Sequence, residues 1–385
     1  MSKWEWKEFE DCIERVKYTT KIPSKDYLQE GEFPIVSQED CLISGYWNDR
    51  SDLFKVTKPI VIFGDHTKVL KYIDFDFVLG ADGVKILCPK DYLNAHFFFY
   101  FLKSVNFDNL GYARHYRLLK ELSVPIPPLS EQKRIVKFLD EEFSKIDTLK
   151  TNAETNLKNA KELFETTLEK ELNPLSRHSE RSEESSADLP SGWEWKTLGD
   201  VCEKISDGSH NPPKGTAANE YKMLSSKNIF NDSLNFDDPR FLTKEEFDLE
   251  NKRTNVKKGD ILLTIVGTIG RCCVFLEDEP VVFQRSVAVL KPNVSLVYSR
   301  FLMYGIIALN IEKLGRGAAQ KGVYLKQLSN ISIPLPPLSV QKEIVARLDK
   351  LSESVKRLET NYKQIIANCD ELKKSVLKKT FEGES

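Results

Sequence analysis

Apolar residues recur at alternating threes and fours along two long stretches of the chain, each following a cluster of prolines. In the later stretch they fall at Ile344, Leu348, Leu351, Val355, Leu358, Tyr362, Ile365, Cys369, Leu372 and Val376, a heptad seam kept for more than four heptads. The earlier stretch gives a looser version at Leu139, Phe143, Ile146, Leu149, Ala153, Leu157, Ala160, Phe164 and Leu168. Neither contains Gly or Pro before Pro174 and Gly383, so each predicts a continuous helix of roughly 60 Å at 1.5 Å per residue. Such a helix needs something to cover its apolar stripe, and the other one is the obvious partner. Pro125, Pro127 and Pro128 hold the chain extended ahead of the first helix. Ser130 or Ser339, with Gln132 or Gln341 close behind, is expected to cap the helix start.

Ahead of each helix the pattern changes to short runs with strand character. Trp4-Glu5-Trp6 and Trp193-Glu194-Trp195 alternate with period two, and Pro59–Phe63, Val84–Leu87, Ile261–Val266 and Val287–Leu290 are dense in β-branched or apolar residues. Leu93–Lys103 and Val297–Leu314 read as helices near the end of each block. The expected class is α+β, with two globular blocks and two long helices. The aromatic run Phe97–Phe101 is expected in the core.

The two halves repeat one another. PIPPLSEQKRIVKFLD (125–140) and PLPPLSVQKEIVARLD (334–349) share eleven of 16 positions without a gap. WEWKEFEDCIERV (4–16) likewise matches WEWKTLGDVCEKI (193–205). The offsets are 209 and 189, so the second copy holds about 20 more residues between its landmarks. A duplication whose interior diverged and whose edges did not accounts for this. The polar, Ser- and Glu-rich segment between the copies has no periodic apolar face and reads as a solvated linker.

Composition narrows the function by exclusion. A chain of 385 residues, 41% hydrophobic and 30% charged, fits two or more domains. It shows no apolar run long enough for a membrane span and no secretory signal pattern, so no membrane association and a cytoplasmic setting are expected. Seven cysteines without CxxC spacing argue against both a disulfide framework and a zinc site. The five histidines form no HExxH or HxH cluster, no Walker A loop is present, and Gly267-Thr268-Ile269-Gly270 is too short for a dinucleotide fingerprint. Asn211-Pro212-Pro213-Lys214 resembles an amino-methyltransferase motif but lacks its aromatic residue. No catalytic residue, metal or cofactor is therefore expected. The net charge of −2 argues mildly against DNA binding, although acidic residues can sit away from a basic groove.

The doubled P-x-P-P-L-S-x-Q-K-x-I-V…L-D hinge with its long helix resembles the specificity subunits of type I restriction-modification enzymes. DGSHNPPKG (207–215), GDILLTIVGTIGR (259–271) and VFQRS (282–286) are similar to features of that family's target recognition domains, as are GDH (64–66), GADGVKIL (80–87) and ARHYR (113–117). The first block lacks the Leu-Pro-x-Gly lead-in that precedes Trp193 and any GxxGTIG-like segment. The resemblance implies target recognition domains at 1–128 and 191–337, spacer helices at 129–172 and 338–381, and a linker at 173–190. It further implies antiparallel coiled-coil helices with pseudo-twofold symmetry. The implied partners are double-stranded DNA carrying a bipartite target, two methyltransferase subunits, and restriction/translocase subunits. The chain itself would be a non-catalytic subunit. A coiled-coil scaffold whose globular ends bind protein is the alternative.

For DNA contact the basic–aromatic cluster Arg114, His115, Tyr116, Arg117 and Lys120 stands out in the first block, since such residues reach phosphates, sugars and guanine edges. In the second block Arg316, Gln320 and Lys321 lie in a Gly-rich loop at the equivalent place. His210, Lys214, Arg271, Gln284 and Arg285 are further candidates. Gln132, Lys133, Gln341 and Lys342, at the repeated helix starts, are the expected partner-binding residues.

Overall fold

A computed structural model describes residues 4–81, 83–106, 114–172, 189–314 and 322–382. The chain divides into two compact units, residues 1–155 with 362–385, and residues 156–361.

The first unit opens with β1 (Glu5–Glu8), α1 (Phe9–Cys12), β2 (Ile13–Glu14), β3 (Lys21–Ile22), β4 (Phe33–Val36), β5 (Gly45–Trp47) and β6 (Leu53–Phe54). It continues with β7 (Ile60–Gly64), β8 (Leu70–Ile73), β9 (Phe77–Gly80), β10 (Val84–Pro89), α2 (Ala95–Ser104), α3 (Tyr116–Lys120), β11 (Ser123–Ile126) and the start of α4 (Leu129–Leu172). The second unit runs through β12 (Glu194–Thr197), α5 (Leu198–Val201), β13 (Cys202–Asp207), β14 (Lys222–Leu224), β15 (Ile229–Phe230), β16 (Ser233–Leu234), β17 (Arg240–Phe241) and α6 (Lys244–Thr254). Then come β18 (Ile261–Thr264), β19 (Cys272–Val274), β20 (Val281–Phe283), β21 (Val287–Pro292), α7 (Ser299–Ala308), α8 (Leu325–Ser329), β22 (Ser332–Leu335) and α9 (Leu338–Glu382). The α+β expectation, two globular units and two long helices, holds.

The most faithfully repeated edges pair with each other inside each unit. β1 runs antiparallel to β11 with Trp6 opposite Pro125, and β12 runs antiparallel to β22 with Trp195 opposite Pro334. Each unit also has a four-stranded sheet in the same order, β2-β10-β7-β8 and β13-β21-β18-β19. A shorter parallel pair stands beside each, β4 with β9 and β14 with β20. The parallel strands span only three or four residues, too few for a period to be read from sequence.

Each long helix contributes one end to each unit. In the first unit Ile135 and Leu139 of α4 share a core with Leu377 and Phe381 of α9, packed on Phe97, Phe98 and Phe101 of α2. In the second, Leu168 and Leu172 of α4 share a core with Ile344 and Leu348 of α9 and Phe301 of α7. Lys150 meets Asp370 at 2.8 Å in the first unit while Lys373 pairs with Asp147, so the helix segments there run antiparallel. In the second, Arg347 meets Glu171 at 2.6 Å. The heptad seam of α9 is covered unevenly. Ile344, Leu348, Val355 and Cys369 are buried, whereas Leu358, Ile365 and Leu372 are 39%, 41% and 47% exposed. A single facing helix covers a narrower arc than the apolar residues occupy.

Both helices begin two residues earlier than a serine cap would give. Pro128 O accepts from Gln132 N, and Pro337 O from Gln341 N, so Ser130 and Ser339 lie inside the first turn. The glutamines turn inward instead. Gln132 is fully buried; its Nε2 donates to Tyr92 O (2.9 Å) and Pro127 O (2.8 Å), and its Oε1 accepts from Asn94 N (2.7 Å). Gln341 repeats the pattern, donating to Leu296 O (3.0 Å) and Pro336 O (2.8 Å) and accepting from Tyr298 N (2.8 Å). The expected partner-binding role of Gln132 and Gln341 is thereby corrected: both side chains are buried and tie the helix start to the proline hinge and to the loop before α2 or α7. Lys133 and Lys342, one residue on, are exposed.

A second tether joins globular part to long helix. Asp349 of α9 accepts from Arg300 (2.6 Å) and Tyr304 (2.7 Å), and Arg300 also reaches Asp232 in the β15–β16 turn at 2.9 Å. In the first unit His96 and Tyr100 stand on Asp140 at 3.5 and 2.5 Å. Gly305, one turn beyond Phe301, has no atom within 4 Å of where a Cβ would stand. Gly305→Ala is expected to raise stability by about 0.5–1 kcal/mol through helix propensity, read as a higher urea midpoint. A lower midpoint would show that the space is needed.

Candidate nucleic-acid interface

In each unit the loops gather at one end of the four-stranded sheet, because the strands that carry them are antiparallel neighbours in register. In the first unit Val84 at the start of β10 lies opposite Gly64 at the end of β7. This brings together the segments after β4, after β7 and before β10. His66 N donates to Gln38 Oε1 at 3.2 Å, Thr67 Oγ1 to Gln38 O at 2.6 Å, and Asp65 N to Gly83 O at 2.7 Å. A Cβ at Gly83 would collide with Gln38, and its φ of +98° favours glycine.

Asp65, only 3% exposed, organises this end. Its carboxylate accepts from Tyr116 N at 2.8 Å and stands 3.7 Å from Lys85 Nζ, while its carbonyl accepts from His115 N at 2.7 Å. His115 itself is buried, with Nδ1 3.0 Å from the same carbonyl. The expectation that His115 contacts DNA is corrected, since its ring packs behind the loop. Tyr116 is half-buried, edge-on to Phe9, with the ammonium groups of Lys85 and Lys120 over its ring at 5.2 and 5.8 Å. Lys120 is exposed but pairs with Glu10 at 2.6 Å. Arg114 and Arg117 are exposed beside it. Of the five candidates in this cluster, these two arginines are the ones left clear to meet phosphate or base.

The second unit builds the same end from different loops. Asp207 at the end of β13 lies opposite Ala288 near the start of β21, so DGSHNPPKG meets the segment before β21. Gln284 N donates to Leu224 O, Ser209 N to Phe283 O and Arg285 N to Ser209 O, at 2.9, 2.8 and 2.8 Å. The loop after β18 is tied in by Ile265 N to Ser286 O and by Val323 N to Ile265 O, each 2.9 Å. The second of these matches the His115–Asp65 link of the first unit. Gly267 and Gly270 take positive φ in this loop, as turn residues do.

His210, Lys214 and Arg285 are exposed on this end, and Arg271 and Gln284 are partly so. Arg271 lies over the Phe230 ring at 5.2 Å. The structure thus brings five of the second-block candidates to one sheet end, while Arg316, Gln320 and Lys321 lie outside the described residues. Sequence reasoning missed the residues that hold these loops. Arg253 of α6 donates from Nε to Asp207 O at 2.8 Å and pairs through its guanidinium with the Asp207 carboxylate. Arg240 Nη1 donates to Pro213 O at 2.6 Å. Burial alone would raise the Asp207 carboxyl, but its bonds to Arg253 and His210 outweigh that and hold it below the usual range. A carboxyl depressed on folding stabilises the loop above its unfolded value of ~3.9, and that contribution is lost as pH falls through the lower folded value.

Among the described residues, no group of three His, Cys, Asp or Glu side chains could hold a metal. Cys202 and Cys273 are buried, which pushes their thiols up to about 12, away from nucleophilic use. No described helix is long and apolar enough to cross a membrane.

Comparison with known proteins places this chain among relatives. The profile of the type I restriction modification DNA specificity domain matches twice, at residues 1–159 and 190–367. The type I restriction enzyme EcoBI specificity subunit of Escherichia coli is 26% identical over 361 residues, covering 88% of this chain and 75% of that protein. The type I restriction enzyme MjaVIII specificity subunit of Methanocaldococcus jannaschii is 23% identical over 407 residues, covering 99% and 92%. In fold, the chain superposes with a TM-score of 0.71 on a solved chain from work on complex assembly of the type I R-M system. That match has 20% identity and covers 100% of this chain and 99% of the other. The HsdS subunit from Thermoanaerobacter tengcongensis gives 0.55, at 20% identity and coverage of 99% and 97%.

Proposed function

The chain belongs to the type I restriction-modification DNA specificity family, and from that premise we propose that each unit reads one half of a bipartite double-stranded DNA target. The observation that carries the reading is the pairing of equivalent sheet ends with unlike loops. One unit offers Arg114 and Arg117, the other His210, Lys214, Arg271, Gln284 and Arg285. A single unit of this size reads a few base pairs, and two units read a longer site.

Catalysis lies elsewhere in the proposed cytoplasmic complex. Two methyltransferase subunits dock on the repeated parts, and restriction/translocase subunits join them. In support, the two copies expose the same features where they are most alike. Trp6 and Trp195 are 51% and 50% exposed, and Lys133 and Lys342 stand at equivalent positions. The uncovered Leu358, Ile365 and Leu372 add an apolar face on α9, of the kind that a protein partner buries.

The test is selection from a random duplex pool by the full chain with its methyltransferase subunit. A bipartite sequence with a fixed gap is expected, bound with an affinity that falls steeply as salt rises because phosphate contacts release counterions. Binding that is insensitive to both sequence and salt would overturn the reading in favour of a protein-binding scaffold.

A further inference from the structure

We propose that Asp207 is the positioning residue for base readout by the second unit, holding the His210 imidazole in one orientation towards DNA. The inference rests on the reading of this sheet end as a DNA surface. Asp207 is 8% exposed, and its two carboxylate oxygens have separate partners. One takes the Arg253 guanidinium; the other accepts from His210 Nε2 at 2.6 Å. Arg253 also donates to the Asp207 carbonyl at 2.8 Å, clamping backbone and side chain together. Arg253 is itself fixed at the end of α6, a helix opened by the Thr243–Glu246 capping box.

An ionised carboxylate only accepts, so the proton of the neutral imidazole sits on Nε2. Nδ1 is then left to accept from an amino group of cytosine or adenine, or, in the cationic ring, to donate to guanine or phosphate. The backbone on both sides is pinned, by Ser209 N to Phe283 O at 2.8 Å and by Arg240 to Pro213 O at 2.6 Å. Meanwhile the imidazole stays half exposed. A buried acid behind an exposed, pinned imidazole fixes a hydrogen-bonding edge in advance of binding, which is what discrimination between bases requires.

Asp207→Asn keeps an oxygen for Arg253 but sets an amide against His210 Nε2. Its effect is read in the same selection from a random duplex pool, with the full chain and its methyltransferase subunit. Discrimination at one or two base pairs of the half-site read by the second unit should fall roughly tenfold, with the other half unchanged. In a His210→Ala background Asp207→Asn should add nothing further. Unchanged discrimination in D207N, equal loss in both halves, or a D207N effect undiminished by H210A would each overturn the inference. Should D207N fail to fold, as judged by its urea transition, H210A alone must lose discrimination in that one half, and no loss there overturns it. If the unaltered chain selects no bipartite sequence, the proposed function itself fails, a separate outcome.

Discussion

Gln341→Ala is expected to lower the stability of the second unit by about 2–3 kcal/mol. The side chain is fully buried and makes three hydrogen bonds that join the start of α9 to the loop before α7 and to the proline hinge. Truncation leaves the buried carbonyl of Pro336 without a donor, at roughly 1–3 kcal/mol for a buried unsatisfied group, and removes the part-buried bonds to Leu296 O and Tyr298 N, which cost less. The charge variant is more telling. Gln341→Glu has nearly the same shape but turns one acceptor oxygen, in place of Nε2, onto two carbonyls, so it should be no more stable than the alanine. A drop in the urea midpoint of the second unit checks both variants, and Gln132→Ala should act likewise on the first. Tolerance of Glu at 341 would mean that the amide is not oriented as described.

Gly208→Ala should abolish reading of one half-site and spare the other. A Cβ at Gly208 would stand 2.0 Å from Phe283 O and 2.4 Å from its carbonyl carbon, both of them backbone atoms that cannot step aside. The loop must therefore leave β20, breaking the Ser209–Phe283 bond and moving His210 and Arg285 together. Withdrawing two or more side chains from the base edges, at roughly 1–3 kcal/mol each, should weaken specific binding on the order of a hundredfold. Weaker, sequence-independent binding to phosphate should change little. Competition between selected and scrambled duplexes separates the two. Equal weakening against both would point to a broken domain, and no weakening to a loop that DNA does not touch.

Much of this architecture was legible from periodicity. The long helices announce themselves because no Gly or Pro interrupts a 3.5-residue pattern, and the repeated edges because Trp-Glu-Trp and the proline run recur in order. Exposure along the helices was not legible, since Leu358 and Val355 look alike in a heptad pattern although only Val355 is covered. The hinge glutamines misled for a related reason. A polar residue just inside a helix usually faces water, but the prolines before it leave carbonyls that need donors, and Gln132 and Gln341 supply them. At the candidate interface the exposed cations were legible, but the acids behind them were not. Asp65 and Asp207 lie in the motifs GDH and DGSH, where an aspartate is indistinguishable from a turn former until the fold delivers His115 or Arg253 to it.

The pairing of β1 with β11 and of β12 with β22 has a consequence for how such a chain can change. It makes each copy a closed buckle, whose entry and exit strands hold hands whatever lies between them. Lengthening a closed loop adds little entropy cost; about 20 extra residues in an interior of this size add about 0.1 kcal/mol. The buckle thus separates two histories, one in which the frame stays fixed and one in which its contents are exchanged. New contents need only start after a tryptophan and end before a proline.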